Sequence, residues 1–494
     1  MPKADLTLLT IRRRATEAGS SSGGGGASNT LYSSCGTPIR VCSMTAADGA
    51  TSGHGERLFH AWSQTRGLLA IVNGRGWAIV MQRKEDGTTS EVLREKLPGA
   101  GDSALPDPDS GVISLSWDPS SQSVLAIAIR HYGIALWDTK GDNGVQMWSG
   151  MSYKSFIPLR KSQRVFDPKV ASWNLAGQLA VGMHDGSFAV WDSMSMDIST
   201  SQSSGKHRSP ISACDWYSSL FAPALALASR STIKVSQGFE GVEWSATSMK
   251  LKLGMAAKNS SLRTSLGDAG LSSPVKLASA VASRLSVSSS GRSAAAADPE
   301  GLDFHQLKFS PNGRHLAAMA APTTDANART LVIYELQDRR NSLVLSREVR
   351  FDGSAAPIGM SWLVDHTLVV FVSGGGGGGR PIALQIVSPS AHLPAVVWPP
   401  AGTALPGTLI DAAATLNGLL ALVFGTSDGR GVLQLVAMPA LAVAAEMPLD
   451  GRPQSIVLYQ PKGSYVSYLS VAFEGGGVEV WELPPADASA VGLS

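Results

Sequence analysis

Strand-length apolar runs, broken by Gly, Asn, Asp, Ser and Pro, recur along the chain from about residue 55 to about residue 485. Each recurrence opens with an alternating stretch that often ends in Trp. A turn follows, then a near-continuous apolar run such as LAIVNG, VLAIAI, LAVGM or LLALVF, a short polar turn, and a further apolar stretch that can close on Trp-Asp. Copies start at Phe59, Val112, Val170, Ile211, His305, Pro357, Leu409 and Ser455, which makes eight. Alternation predicts strands with one buried face, and continuous apolar runs bounded by turn residues predict strands covered on both faces. Asn-Gly or Asp-Gly at 185–186, 312–313, 417–418 and 428–429 falls between such runs, where a tight hairpin needs positive φ.

Each copy supplies three strands, and the variable stretch after it has room for a fourth, as in SEVLREKLPG after the first copy and LSREVRFDG after the fifth. Four antiparallel strands in a repeat of roughly 40 to 45 residues predict an all-β chain, a WD-repeat β-propeller of four-stranded blades. Less a loop of about 45 residues, the repeat zone leaves about 48 residues per unit for eight blades and about 55 for seven, so eight fit the usual repeat better. Seven stays open, since a terminal unit could close another sheet. Trp62, Trp117, Trp173, Trp216 and Trp362 fall near the ends of first strands, where a repeated aromatic packs between blades as core. Trp137 with Asp138, Trp191 with Asp192, and Trp481 mark third strands, and Asp185 sits in the turn His184-Asp185-Gly186 between two strands. That turn position also holds Arg75-Gly76, His131-Tyr132-Gly133 and Ser427-Asp428-Gly429 in other copies, so it reads as turn chemistry rather than a catalytic pair.

Composition places the flanks. Residues 1–54 are Ser, Gly and Ala-rich, with SSSGGGGAS at their centre, and read as a disordered leader with room for one strand in TPIRVCSM. The propeller then spans 55–485, interrupted by a low-complexity loop at 254–300, and 486–494 form a tail. In the loop and its approach Lys252, Lys258, Arg263, Lys276, Arg284 and Arg292 outnumber Asp268 and Asp298. Set among serines, they suit either a solvated insertion or docking on an acidic partner that phosphorylation would switch off. With 41 Lys and Arg against 39 Asp and Glu, net charge points neither to nucleic acid nor to an anionic membrane. Three cysteines without CxxC spacing, Cys35, Cys42 and Cys214, argue for a reducing compartment. No apolar run reaches the roughly 18 residues of a membrane span. The amino-terminal stretch is basic with a short apolar segment, as in a transit peptide, but it carries Asp5 and Glu17 and has no apolar core of a signal peptide.

Motifs that carry chemistry fail on context. GSSSG at 19–23 matches a nucleophile elbow but has no strand before it or helix after it. Gly374 to Gly379 satisfy a dinucleotide-binding pattern, yet a strand, RPIALQIV, follows where a helix N-terminus would hold the pyrophosphate. SGKH at 204–207 puts His where a phosphate loop needs Ser or Thr. The nine histidines lack metal-ligand spacing, and Asp107 and Asp109 lie in a Pro-rich turn. A propeller hydrolase would need acids or histidines converging from several blades, whereas the first strands offer mostly Ser, Ala, Leu and Trp. No catalytic, cofactor or metal residue is therefore assigned.

The repeat phrases HAWSQTRGLLAIVNGRGWAIVMQRKEDG, SLSWDPSSQSVLAIAIRHYGIALWD, SWNLAGQLAVGMHDGSFAVWD and GKHRSPISACDWYSSLFAPALALASRSTIKVSQGFEG, in this order, resemble the first propeller of the WD-repeat subunits of intraflagellar transport complex A. The resemblance covers about 55 to 485 without the long loop. It implies a non-enzymatic scaffold serving retrograde ciliary transport and the admission of membrane cargo to the cilium. Implied partners are the other subunits of that complex and ciliary cargo proteins, in the cilium or flagellum, basal body and cytoplasm, with no nucleic acid. Members of the family typically continue into a second propeller and a helical-repeat region that this chain lacks, which implies a truncated product or a shortened relative. Another WD-repeat adaptor, a vesicle coat component or a ubiquitin-ligase substrate receptor, is the alternative.

Overall fold

Alternation and apolar runs become strands throughout a computed structural model of the chain. The structure describes residues from Ile39 to Leu483, apart from 46–57, 97–111, 139–167, 201–206, 238–250, 253–301 and a few residues in several turns. Every described residue belongs to one compact unit, Cys35–Ser494.

The first strand, β1 (Ile39–Thr45), is set aside for the end of the chain. Blade 1 holds β2 (Phe59–Ser63), β3 (Leu68–Val72), β4 (Trp77–Arg83) and β5 (Thr89–Lys96), and blade 2 holds β6 (Val112–Trp117), β7 (Val124–Ile129) and β8 (Gly133–Asp138). Blade 3 is β9 (Pro168–Trp173), β10 (Gln178–Met183), β11 (Phe188–Asp192) and β12 (Asp197–Thr200); blade 4 is β13 (Ala213–Tyr217), β14 (Ala224–Ser229), β15 (Thr232–Gln237) and β16 (Leu251–Lys252). Blade 5 comprises β17 (Leu302–Phe309), β18 (His315–Pro322), β19 (Arg329–Gln337) and β20 (Ser342–Phe351), and blade 6 comprises β21 (Ala355–Trp362), β22 (Leu368–Gly374), β23 (Leu384–Val387) and β24 (Val396–Trp398). Blade 7 is β25 (Thr408–Ala414), β26 (Leu419–Gly425), β27 (Gly431–Ala437) and β28 (Ala442–Leu449). In blade 8, β29 (Pro453–Tyr459), β30 (Ser467–Phe473) and β31 (Gly477–Leu483) take β1 as their fourth strand.

All pairings are antiparallel, and the first strands meet one another in turn, from β2 against β6 round to β25 against β29 and β29 against β2. The eight sheets therefore close into a ring, which settles the blade number at eight. The strand expected within TPIRVCSM forms and pairs Ile39 with Glu482 and Thr45 with Gly477. The propeller thus draws on residues ahead of 55, where the repeat pattern starts, because the last copy supplies only three strands. Arg40 Nη1 fastens this strand to the buried Glu479 at 3.0 Å. Fourth strands form in both stretches quoted for them, as β5 and β20. In blade 2 the stretch that would supply one, like the loop 254–300 and the tail, lies outside the described residues.

Alternate residues of each middle strand serve different seams. Leu420, Leu422 and Phe424 of β26 pack toward blade 6, while Leu419, Ala421 and Val423 pack toward blade 8. Likewise Leu125, Ile127 and Ile129 of β7 face blade 1, and Val124, Ala126 and Ala128 face blade 3. A strand with neighbours on both faces has no solvent side to mark with polar residues, hence the continuous apolar runs. One core cluster fills each of the eight seams. Gly186, Gly313, Gly418 and Gly429 all carry positive φ, between +68° and +82°.

Candidate functional site

The inner strands are tied to their neighbours by hydrogen bonds from side chain to backbone. A first strand pairs on one side only, so its other edge leaves backbone groups without a ladder partner. Side chains of the next blade reach them. Trp117 Nε1 donates to Ala61 O at 3.1 Å, Trp216 Nε1 to Ser172 O at 2.9 Å, and Trp362 Nε1 to Lys308 O at 2.8 Å. Each acceptor directly precedes the matching inner-strand position of the blade before, held by Trp62, Trp173 and Phe309. Bonds also run the other way. Asp215 Oδ2 accepts from Phe309 N at 2.7 Å and Asp411 Oδ2 from Ile456 N at 2.9 Å, while Gln306 Nε2 donates to Ile358 O at 3.1 Å.

The tryptophans marked in the sequence are not equivalent in detail. Trp62, Trp117, Trp137, Trp191, Trp216 and Trp362 are buried, and Trp173 and Trp481 are half-buried. Trp173 meets Trp191 edge-on, ring centres 5.7 Å apart. The indole nitrogens of Trp62, Trp137, Trp173 and Trp481 are buried without a hydrogen-bond partner, so these rings serve by packing. Asp192 accepts from Gln178 Nε2 at 3.1 Å, and Asp138 ends β8 with its side chain outside the description.

His184-Asp185-Gly186 is the turn joining β10 to β11. Asp185 Oδ1 accepts from Ser187 N at 2.9 Å and from the Ser187 hydroxyl, and Gly186 N donates to Met183 O at 3.1 Å. His184 and Asp185 are exposed. Asp428 holds the related turn in blade 7: the Thr426 hydroxyl first, and then Arg430 N at 3.2 Å, donate to its carboxyl and hold it below the usual range. Arg75-Gly76 and His131-Tyr132 lie outside the described residues. Gly186 has a second constraint: its carbonyl receives His207 N at 2.8 Å, and an added Cβ would come within 2.3 Å of His207 O. His207, the last residue of SGKH, is thus packed beneath that turn.

Buried titratable groups are held in their neutral or paired forms. His60 donates through Nε2 to Ser470 O at 3.2 Å, which leaves Nδ1 as the unprotonated nitrogen, and burial lowers its pKa to about 4. Burial and then the charge of Lys234 lower His207 to about 4 as well. Burial and Asp215 push the Cys214 thiol up to about 12, so it is a poor nucleophile. Burial raises the Asp215 carboxyl against the pull of Lys308, whose ammonium lies 3.3 Å away and is itself held above its usual value by Asp215. Among the described residues no three His, Cys, Asp or Glu side chains are placed to hold a metal ion.

Sequence reasoning passed over one recurring residue, the small polar side chain directly after the first strand. Asp118, Asn174, Ser310 and Thr415 are buried there and cap the turn to the second strand. Asp118 Oδ1 accepts from Ser120 N at 2.8 Å, Asn174 Oδ1 from Gln178 N at 2.9 Å, Ser310 Oγ from His315 N at 2.9 Å, and Thr415 Oγ1 from Leu419 N at 3.0 Å. The signal was present as Trp-Asp, Trp-Asn, Phe-Ser and Ala-Thr at equivalent places, but polar residues beside a turn read as exposed.

No described helix is long and apolar enough to cross a membrane. No family model matches the sequence, and no curated protein matches it. Among solved structures the crystal structure of Saccharomyces cerevisiae Sqt1, a WD-repeat propeller, is similar at a TM-score of 0.56 and 12% identity, covering 91% of this chain and 99% of that one. With its ring of eight antiparallel sheets, the chain has the fold of a WD-repeat β-propeller.

Proposed function

We propose that the chain is a non-enzymatic scaffold, a rigid ring whose turns and rim carry partner proteins. The observation that carries this reading is the engagement of the inner-strand polar groups. His60, Asp215, Gln306 and Asp411 each bond the backbone of a neighbouring blade. Groups that a propeller enzyme would aim at a substrate are here used to hold blades together, and the fold shared with WD-repeat proteins supports the same view.

In its finer form the proposal places the chain in intraflagellar transport complex A, resembling the first propeller of WD repeat-containing protein nineteen. Its partners would be the other subunits of that complex and ciliary cargo, in the cilium or flagellum, basal body and cytoplasm. The order of the repeat phrases supports this form. Tagged protein recovered from a ciliated cell should bring down transport-train subunits in stoichiometric amounts. Recovery with vesicle-coat or ubiquitin-ligase subunits alone would replace it with the adaptor reading, and loss of a defined enzymatic activity on substituting His60 or Asp215, with the fold intact, would overturn the scaffold itself.

A further inference from the structure

The seam between blades 6 and 7 is open at its outer end. Val396 on β24 lies opposite Ile386, and Val443 on β28 lies opposite Val436. Residues directly opposite across two strands share a face, and Ile386 and Val436 both belong to the core between these two blades. Val396 and Val443 therefore sit on facing sides of one core, yet they are 49% and 47% exposed. Trp398, buried two residues beyond Val396, donates Nε1 to Leu441 O at 3.0 Å, two residues before Val443. The result is an apolar notch at the rim with valine walls and a tryptophan tied across its base.

Beside the notch runs a free strand edge. β28 pairs with β27 and with no other described strand. Its sequence AVAAEMPL holds a single charge, Glu446, whereas the outer strands β5 and β20 carry several. Charges on an edge deter pairing with foreign chains, and an edge this sparsely charged is receptive over Ala442 to Met447, up to Pro448, which has no N–H to offer. Glu446 is exposed and lies opposite Gln434, on the same face as Val443, because a bulge separates the two pairings.

We propose that this notch receives an extended segment of a partner protein, which sets an aliphatic or aromatic side chain between Val396 and Val443, a Lys or Arg against Glu446, and its backbone along the edge of β28. The lone carboxylate selects a basic partner segment. A second copy of the chain fits less well, since twofold pairing of two such edges about Ala444 and Ala445 puts each Glu446 opposite a Val443 and supplies no cation. The inference rests on the scaffold reading and adds to it a place and a partner chemistry.

The probe is a fluorescein-labelled peptide of about eight residues, alternating threonine and valine, with one lysine and, two places on, one leucine. Its polarisation should rise saturably with full-length protein, with Kd between about 10 μM and 1 mM. Val443→Asp should weaken binding by about tenfold, Glu446→Lys should favour a peptide carrying glutamate in place of lysine, and Val344→Asp, on the rim of blade 5, should change nothing. Unchanged melting curves would show that the variants fold. No saturation up to about 1 mM, or binding indifferent to both substitutions, overturns the proposal. So does a concentration-dependent dimer abolished by Val443→Asp, which would give the notch to a second copy. If the peptide fails while partner proteins still copurify with the chain, the notch falls and the scaffold stands.

Discussion

Trp362 and Trp62 occupy matching positions but differ by one hydrogen bond, and that difference can be measured. Trp362→Phe leaves Lys308 O without its donor, at an expected cost of about 1 to 2 kcal/mol. Trp62→Phe removes a buried N–H that has no partner, so its urea midpoint should fall by less. Glycines separate in the same way. At Gly429 nothing lies within 4 Å of an added Cβ, so Gly429→Ala meets only the positive φ, about 1 kcal/mol. Gly186→Ala should cost several times more, since its Cβ would drive into His207 O. Burial holds His60 at about 4 against 6.5 when unfolded. A lowered folded pKa means that the unfolded chain takes up the proton first. The stability this group contributes is whole above pH 6.5 and is lost as the pH falls toward about 4, roughly 3 kcal/mol in all. His207 acts in the same direction. Denaturant midpoints between pH 7 and pH 4 should show the loss, and His60→Gln should flatten the profile.

At the scale of the element, middle strands are the safest to find and outer strands the hardest. β7, β10 and β26 announce themselves because burial on both faces leaves no room for polar residues. Outer strands such as β5 and β12, TSEVLREK and DIST, pair with one described strand each, and their composition approaches that of loops. β1 is legible as a short strand, but its pairing with β31 depends on a partner at the other end of the sequence. Of the inner-strand bonds, Trp117, Trp216 and Trp362 could be located by repetition, whereas their carbonyl acceptors, and the pairing of Asp215 with Phe309, exist only once blades sit side by side. Shared seams also make a substitution in one blade felt in its neighbour. Leu422→Ala, fully buried toward blade 6, should cost about 2 to 5 kcal/mol and raise amide exchange in both blades 6 and 7. Exchange confined to blade 7 would contradict the shared core.

For the molecule as a whole, the ring matters more than the point at which the chain enters it. Ile39 lies opposite Glu482, so a turn of about two residues could join Leu483 to Ile39 and make blade 8 continuous. A permuted protein joined in this way and opened between blades 4 and 5 should melt within a few degrees of the original; failure to fold would show that the break is not equivalent to the natural one. In the natural order, Arg40 waits for Glu479, 439 positions later. At a ribosome adding about 5 to 20 residues each second, the first strand waits roughly 20 to 90 seconds before its mate is made. Over that interval the blades appear one after another and can stack as they form, but the ring has no seal until the last of them meets its outer strand.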